Sequence, residues 1–102
     1  MKIEQKITNC DYLFYDCDKI NEIEFVNFDT KNVTNMSGMF FDCKGLKNLN
    51  LNNFDTKNVT NMSEMFYGCS DLKNLNLDNF DTKNIKYKNG MFDGCNFTNS
   101  IK

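Results

Sequence analysis

A chain of 102 residues, 40% of them hydrophobic, is long enough for one domain built on one core. Its net charge is −2 and its twelve cations are all Lys, so there is no basic field and no Arg fork for nucleic acid. It has no His, which removes the commonest general base and the commonest zinc ligand. The amino-terminal stretch Met1–Lys6 lacks an apolar h-region, so no signal peptide is read there, and no run reaches the ~18–20 apolar residues that span a bilayer.

In chain order, one period of 26 residues recurs throughout. Residues 1–20 read as a degenerate amino-terminal cap. There Ile7, Cys10 and Leu13-Phe14 stand in phase with Val33, Met36 and Met39-Phe40, and Lys2 stands in phase with Phe28. Residues 21–46 and 47–72 are full units: the block Phe28–Ser37 returns unchanged as Phe54–Ser63. Residues 73–102 read as a degenerate carboxy-terminal cap. Lys88 replaces a core Met there, as a unit that nothing covers requires, and Ile101 falls on a strand position.

Each unit mixes two hydrophobic periods. Val59, Met62, Met65, Phe66 and Cys69 are three and four apart, which predicts a short helix. Asn61 would cap it, Glu64 would complete a capping box, and Gly68 would stand in the left-handed position near its end. Leu72, Leu75 and Leu77 then end in alternation and predict a short strand. Phe80 points inward before a polar turn over 81–84. One unit cannot bury its own apolar face, but stacked copies can. The expected fold is α/β: a leucine-rich-repeat-like right-handed solenoid with short parallel strands on one face and short helices on the other.

The strings Leu46-x-x-Leu49-x-Leu51 and Leu72-x-x-Leu75-x-Leu77 match the core of leucine-rich repeats. The longer block Asn-Phe-Asp-Thr-Lys-Asn-Val-Thr-Asn-Met-Ser-x-Met-Phe-x-x-Cys-x-x-Leu resembles the BspA-like surface-protein repeats, in the variety found in mycoplasma lipoproteins; the likeness is strong over residues 21–95. The resemblance implies a bacterial cell-surface or secreted protein that binds host matrix, cells or other microbes. It brings no catalytic motif.

Cys17, Cys43, Cys69 and Cys95 keep the period, with Cys10 apart. No C-x-x-C pair suggests zinc, so they read as a buried, reduced row; bridges between coils should fail on distance if helices stack ~8–10 Å apart. Asp29, Asp55 and Asp81 lack a glycine-rich Ca²⁺ pattern and read as turn caps. The Asn-x-Ser/Thr strings are by-products of the repeat. Phe41 and Tyr67 face outward but make a weak patch, with Tyr15 and Asp93 in the same row. The candidate ligand surface is the outward strand row Glu24, Asn50 and Asn76, flanked by Asn48, Asn52, Asn74 and Asp78. Asn offers a donor and an acceptor, which suits sugars or peptide backbones; the plainer reading is an Asn ladder that satisfies itself between coils.

These readings together expect a non-enzymatic binding or adhesion module. Its ligand is a protein or glycan, with no cofactor, no metal and no nucleic acid. The alternative is an intracellular interaction or self-assembling scaffold, with end-to-end association through its edge strands.

Overall fold

The computed structural model describes Lys2–Ile3 and residues 8–96; Ile7 and Ile101 lie outside them. Four strands form one parallel sheet in sequence order: β1 Lys2–Ile3, β2 Glu22–Phe25, β3 Asn48–Leu49 and β4 Asn74–Leu75. Ile23, Leu49 and Leu75 stand in register, as do Glu22, Asn48 and Asn74, so the sheet repeats at the sequence period. Alternation sets the faces: Ile23 and Leu49 are buried, while Glu22, Glu24 and Asn48 are exposed. The first coil departs from this register. Lys2 pairs with Glu24 and Ile3 with Phe25, 22 positions on instead of 26. Lys2 therefore does not stand in the place of Phe28. The chain regains the common register by Asn9, which bridges to Asn35.

A second ladder holds the coils together at Asn9, Asn35, Asn61 and Tyr87. It continues into the segment expected to be helical, and no helix forms among the described residues. Instead, alternate amides leave the coil. Met36, Gly38, Phe40 and Asp42 donate to the carbonyls of Asn61, Ser63, Met65 and Tyr67 in the next coil, at 2.6–2.9 Å. The intervening amides of Met39, Phe41 and Cys43 close local turns onto the carbonyls of Met36, Gly38 and Phe40. The same alternation links Met62, Glu64, Phe66 and Gly68 to Tyr87, Asn89, Met91 and Asp93.

Backbone angles explain why this segment is not a helix. Every fourth residue is left-handed: Tyr12 and Asp16, Gly38 and Asp42, Glu64 and Gly68, Gly90 and Gly94, with φ between 54° and 81°. A right-handed helix cannot continue through such a residue. A run of turns that repeats every four residues still places Met62, Met65, Phe66 and Cys69 inward, and so imitates helical spacing. Asn61 does accept the Ser63 amide at 3.0 Å, but as a turn and not as a helix cap. Glu64 is itself left-handed (φ 57°) and closes no capping box.

The core lies between the two ladders. Val33, Met36, Met39, Phe40, Leu46 and their equivalents one coil on are fully buried. Phe14, Phe40, Phe66 and Phe92 form one stack with ring centroids 5.5–5.7 Å apart and planes within 6°. Phe25 meets Phe14 and Phe40 edge-on from the strand side. Two buried threonines, Thr30 and Thr56, are part of the same scaffold. The Thr30 hydroxyl accepts the Asp55 amide at 2.8 Å and donates to the Asp55 carbonyl at 3.0 Å; Thr56 treats Asp81 in the same way. At the last coil Lys88 is exposed, where the equivalent Met36 and Met62 are buried.

Two predictions follow from the backbone. At one left-handed row a side chain and a glycine alternate, Tyr12 over Gly38 and Glu64 over Gly90, and a β-carbon at Gly38 would overlap the Tyr12 ring. Gly38→Ala should therefore destabilise by about 2 kcal/mol or more, whereas Glu64→Gly should stabilise by about 1 kcal/mol, read from urea midpoints. Thr56→Val should cost about 1–3 kcal/mol by stranding the Asp81 amide and carbonyl, and Thr56→Ser should recover most of it.

Candidate functional site

The outward strand row is continuous. Glu24, Asn50 and Asn76 are exposed and follow one another from coil to coil, with Asn48 exposed beside them and Asn74 at the matching position of β4. Asn52 and Asp78 are exposed two residues after Asn50 and Asn76. The plainer reading expected Asn side chains to bond between coils. On this row they bond within their own coil. Asn50 Oδ1 accepts the Asn52 amide at 2.9 Å, and Asn76 Oδ1 accepts the Asp78 amide at 2.8 Å. Each side-chain amide is thereby oriented, with its acceptor used internally and its Nδ2 donor left on an exposed residue. Two shallow open depressions adjoin the row. One is lined by Leu49, Asn50, Asn52, Lys73, Leu75 and Asn76, the other by residues that include Glu24, Phe25 and Asn50.

Bonding between coils does occur at Asn residues outside the predicted row. Asn58 and Asn84 donate from Nδ2 to the carbonyls of Lys31 and Lys57 one coil earlier, at 2.7 and 2.6 Å. Asn79 donates to three carbonyls, those of Leu51, Asn52 and Phe54. The glycosylation-like string at Asn58 thus uses its Asn nitrogen to fasten coils. The periodic aspartates act as turn caps: Asp29, Asp55 and Asp81 accept the amides of Lys31, Lys57 and Lys83 at 3.0–3.1 Å. Asp55 also pairs with Lys57 at 3.7 Å, an exposed contact of small energetic weight.

All five cysteines are free thiols. The distance argument drawn from stacked helices does not apply, because hydrogen-bonded coils sit at strand spacing, ~4.8 Å. Parallel side chains at that spacing keep their β-carbons slightly beyond the ~3.5–4.5 Å that a disulfide needs. The thiols have other partners. Sγ of Cys43, Cys69 and Cys95 donates to the carbonyls of Phe14, Phe40 and Phe66 at 3.0–3.1 Å, 29 residues back along the chain. Burial pushes the Cys10 and Cys43 thiols up to about 12 and raises Cys69 further. Cys17 and Cys95 are also raised, chiefly by burial. A thiol this reluctant to ionise is a poor nucleophile.

Sequence reasoning missed the turn face. Phe41 and Tyr67 do not form a weak, interrupted patch. Tyr15, Phe41 and Tyr67 stack in one ladder, with centroids 5.2 and 4.6 Å apart, and Tyr12 leans on Tyr15 and Phe41 at 5.8 and 6.1 Å. The sequence signal was three aromatics at the repeat period; helices stacked ~8–10 Å apart would have kept those rings out of contact, whereas coils at strand spacing bring them into stacking distance.

Against known families, the model described as "Mycoplasma protein of unknown function, DUF285" matches residues 4–102, nearly the whole chain. No curated protein and no solved structure matches it.

The thiol row gives an alkaline signature. A thiol pKa raised by folding favours the folded state fully below the unfolded value of 9.0, and that advantage is lost as pH climbs from there towards about 12. Unfolding free energy measured in urea should therefore fall as pH rises above about 9. Cys43→Ser keeps a donor for the Phe14 carbonyl and does not titrate in this range, so its profile should be flatter than the wild type's. Equal slopes would refute the assignment to this thiol.

Proposed function

The chain belongs to the mycoplasma family DUF285, and on that premise we propose that it is a non-enzymatic binding or adhesion module, a leucine-rich-repeat-like solenoid whose strand face meets the ligand. The observation that carries this reading is the pair of oriented side-chain amides at Asn50 and Asn76, each held by a turn bond of 2.8–2.9 Å and each on an exposed residue. A donor row fixed before binding loses little freedom when a ligand arrives, which is how a small surface gains affinity. Donors repeated at the coil spacing suit the hydroxyls of a glycan or the carbonyls of an extended peptide. Glu24 extends the row with an acceptor. The absence of His in the sequence and the protonated state of the buried thiols support a role without catalysis. The resemblance to surface-protein repeats supports a place at the cell surface or outside it. No helix among the described residues is long and apolar enough to cross a membrane.

A self-assembling scaffold is the second reading, favoured by one observation: Leu13 is 42% exposed in the first coil, although its equivalents Met39, Met65 and Met91 are buried. End-to-end association would cover such a residue. Native mass spectra that stay monomeric at high protein concentration would remove this reading.

The strand-face proposal is tested by Asn50→Asp with Asn76→Asp. Aspartate keeps the turn acceptor and deletes the Nδ2 donor. In a screen against glycans and matrix proteins, the double variant should keep its melting temperature within a few degrees. It should lose on the order of tenfold in affinity for whatever the wild type binds, as two lost hydrogen bonds imply. Unchanged binding would move the site off this face.

A further inference from the structure

The aromatic ladder on the turn face is not explained by core packing. Tyr15 is 54% exposed and Tyr12 43%, while Phe41 and Tyr67 are half-buried beside them. The stacked rings cover one another's inner faces, and the ladder forms a narrow, partly exposed aromatic strip. A strip of this kind, with polar groups along its sides, is a usual form for a contact surface.

Charge identifies the kind of occupant. The segments 8–17, 34–43 and 60–69, which carry the ladder rings, contain Asp11, Asp16, Asp42 and Glu64 and no Lys; the next segment of the same face, 86–95, adds Asp93 together with Lys86 and Lys88, so the acidic part of the face is its ring-bearing part. Two of these residues directly follow ladder rings in the chain and are tied to the next ring's backbone: the Asp16 amide donates to the Phe41 carbonyl and the Asp42 amide to the Tyr67 carbonyl, at 2.7 and 2.6 Å. Asp11 and Asp16 are exposed and Asp42 is half-exposed. No ion pair to any of the four is present among the described residues.

We propose that this face docks a basic, extended peptide. Arg and Lys have the required two-part chemistry: an aliphatic stem that lies along apolar ring edges and a charged tip that reaches a carboxylate. The ladder advances by 5.2 and 4.6 Å from Tyr15 to Tyr67, a length that about three residues of extended chain match at ~3.3 Å each. A neutral glycan would stack on ring faces; both faces of Phe41 are covered by Tyr15 and Tyr67, which leaves only the outer faces of the two end rings for a sugar. This site is separate from the strand row, so it stands or falls independently of Asn50 and Asn76.

The test is fluorescence anisotropy of labelled octa-arginine against the full chain at physiological salt, with maltohexaose as competitor. Octa-arginine should bind, and maltohexaose should not displace it. Asp11→Asn with Asp16→Asn, both exposed and with Asn tolerant of the left-handed position at 16, should weaken binding at least threefold. Tyr15→Ala with Tyr67→Ala should weaken it at least tenfold, and the paired Phe substitutions should retain it. Tyr15→Ser alone, at the most exposed ring of the ladder, should cost at least threefold and serves if the double variant does not fold. Loss of affinity in the Asp variants with none in either Tyr variant would reduce the effect to unspecific charge attraction and overturn the proposal. Displacement by maltohexaose would overturn it in favour of a sugar site.

Discussion

The amide–carbonyl bond from one coil to the next is the constraint from which the rest of this molecule follows. It occurs in two places, at the strands and along the run of turns, and in the turns half of the amides are committed to it. With both sides tied, a coil cannot slide by one residue without turning buried side chains outward. From the second coil on, the buried side chains are consequently stacked on their equivalents, and most core rows hold residues that tolerate a copy of themselves as neighbour. Phe does so by parallel stacking, Cys by pairing its thiol with a carbonyl of the coil before, and Thr by using its hydroxyl twice on the coil after.

Much of this was legible in the sequence because the period is a direct image of the register. The strand positions of Ile23, Leu49 and Leu75, the inward Met and Phe rows and the aspartate turns all follow from it. The helices did not survive, and the cause is specific. A four-residue run of turns and a 3.6-residue helix place apolar side chains at the same three and four spacings, so periodicity cannot separate them. The separating signal was elsewhere: Gly38, Gly68, Gly90 and Gly94 occupy two rows four residues apart, where a helix would want alanine or leucine. Asp16, Asp42, Glu64 and Tyr12 complete those rows and hide the pattern: aspartate tolerates the left-handed region better than most residues, while Glu64 and Tyr12 occupy it at some strain. The shortened first coil was hidden too, because the register returns at Asn9 and the sequence comparison runs through the gap without a break.

The candidate site was half legible. Alternation alone placed Glu24, Asn50 and Asn76 on one exposed row. It did not reveal that Asn50 and Asn76 each accept a turn amide within their own coil, and that detail changes what the row offers: amides held in a fixed orientation, with one acceptor site already engaged. The bonding expected there runs through Asn58, Asn79 and Asn84 instead. Asparagine thus plays two parts in this chain, fastening one coil to the next and closing turns within a coil, and only the second bears on this surface. The turn face is the reverse case. Its residues were visible, but their alignment depended on a backbone path that hydrophobic spacing does not encode.

The alternation of side chain and glycine along the row Tyr12, Gly38, Glu64, Gly90 has a consequence for inheritance. Near-identical tandem units invite recombination that deletes or duplicates one copy. Losing the unit that contains Gly38 would bring Glu64 under the Tyr12 ring, where a β-carbon has no room. Duplicating that unit would set glycine beside glycine and cost nothing at this row, so the row tolerates growth of the array more readily than loss of the coil next to Tyr12.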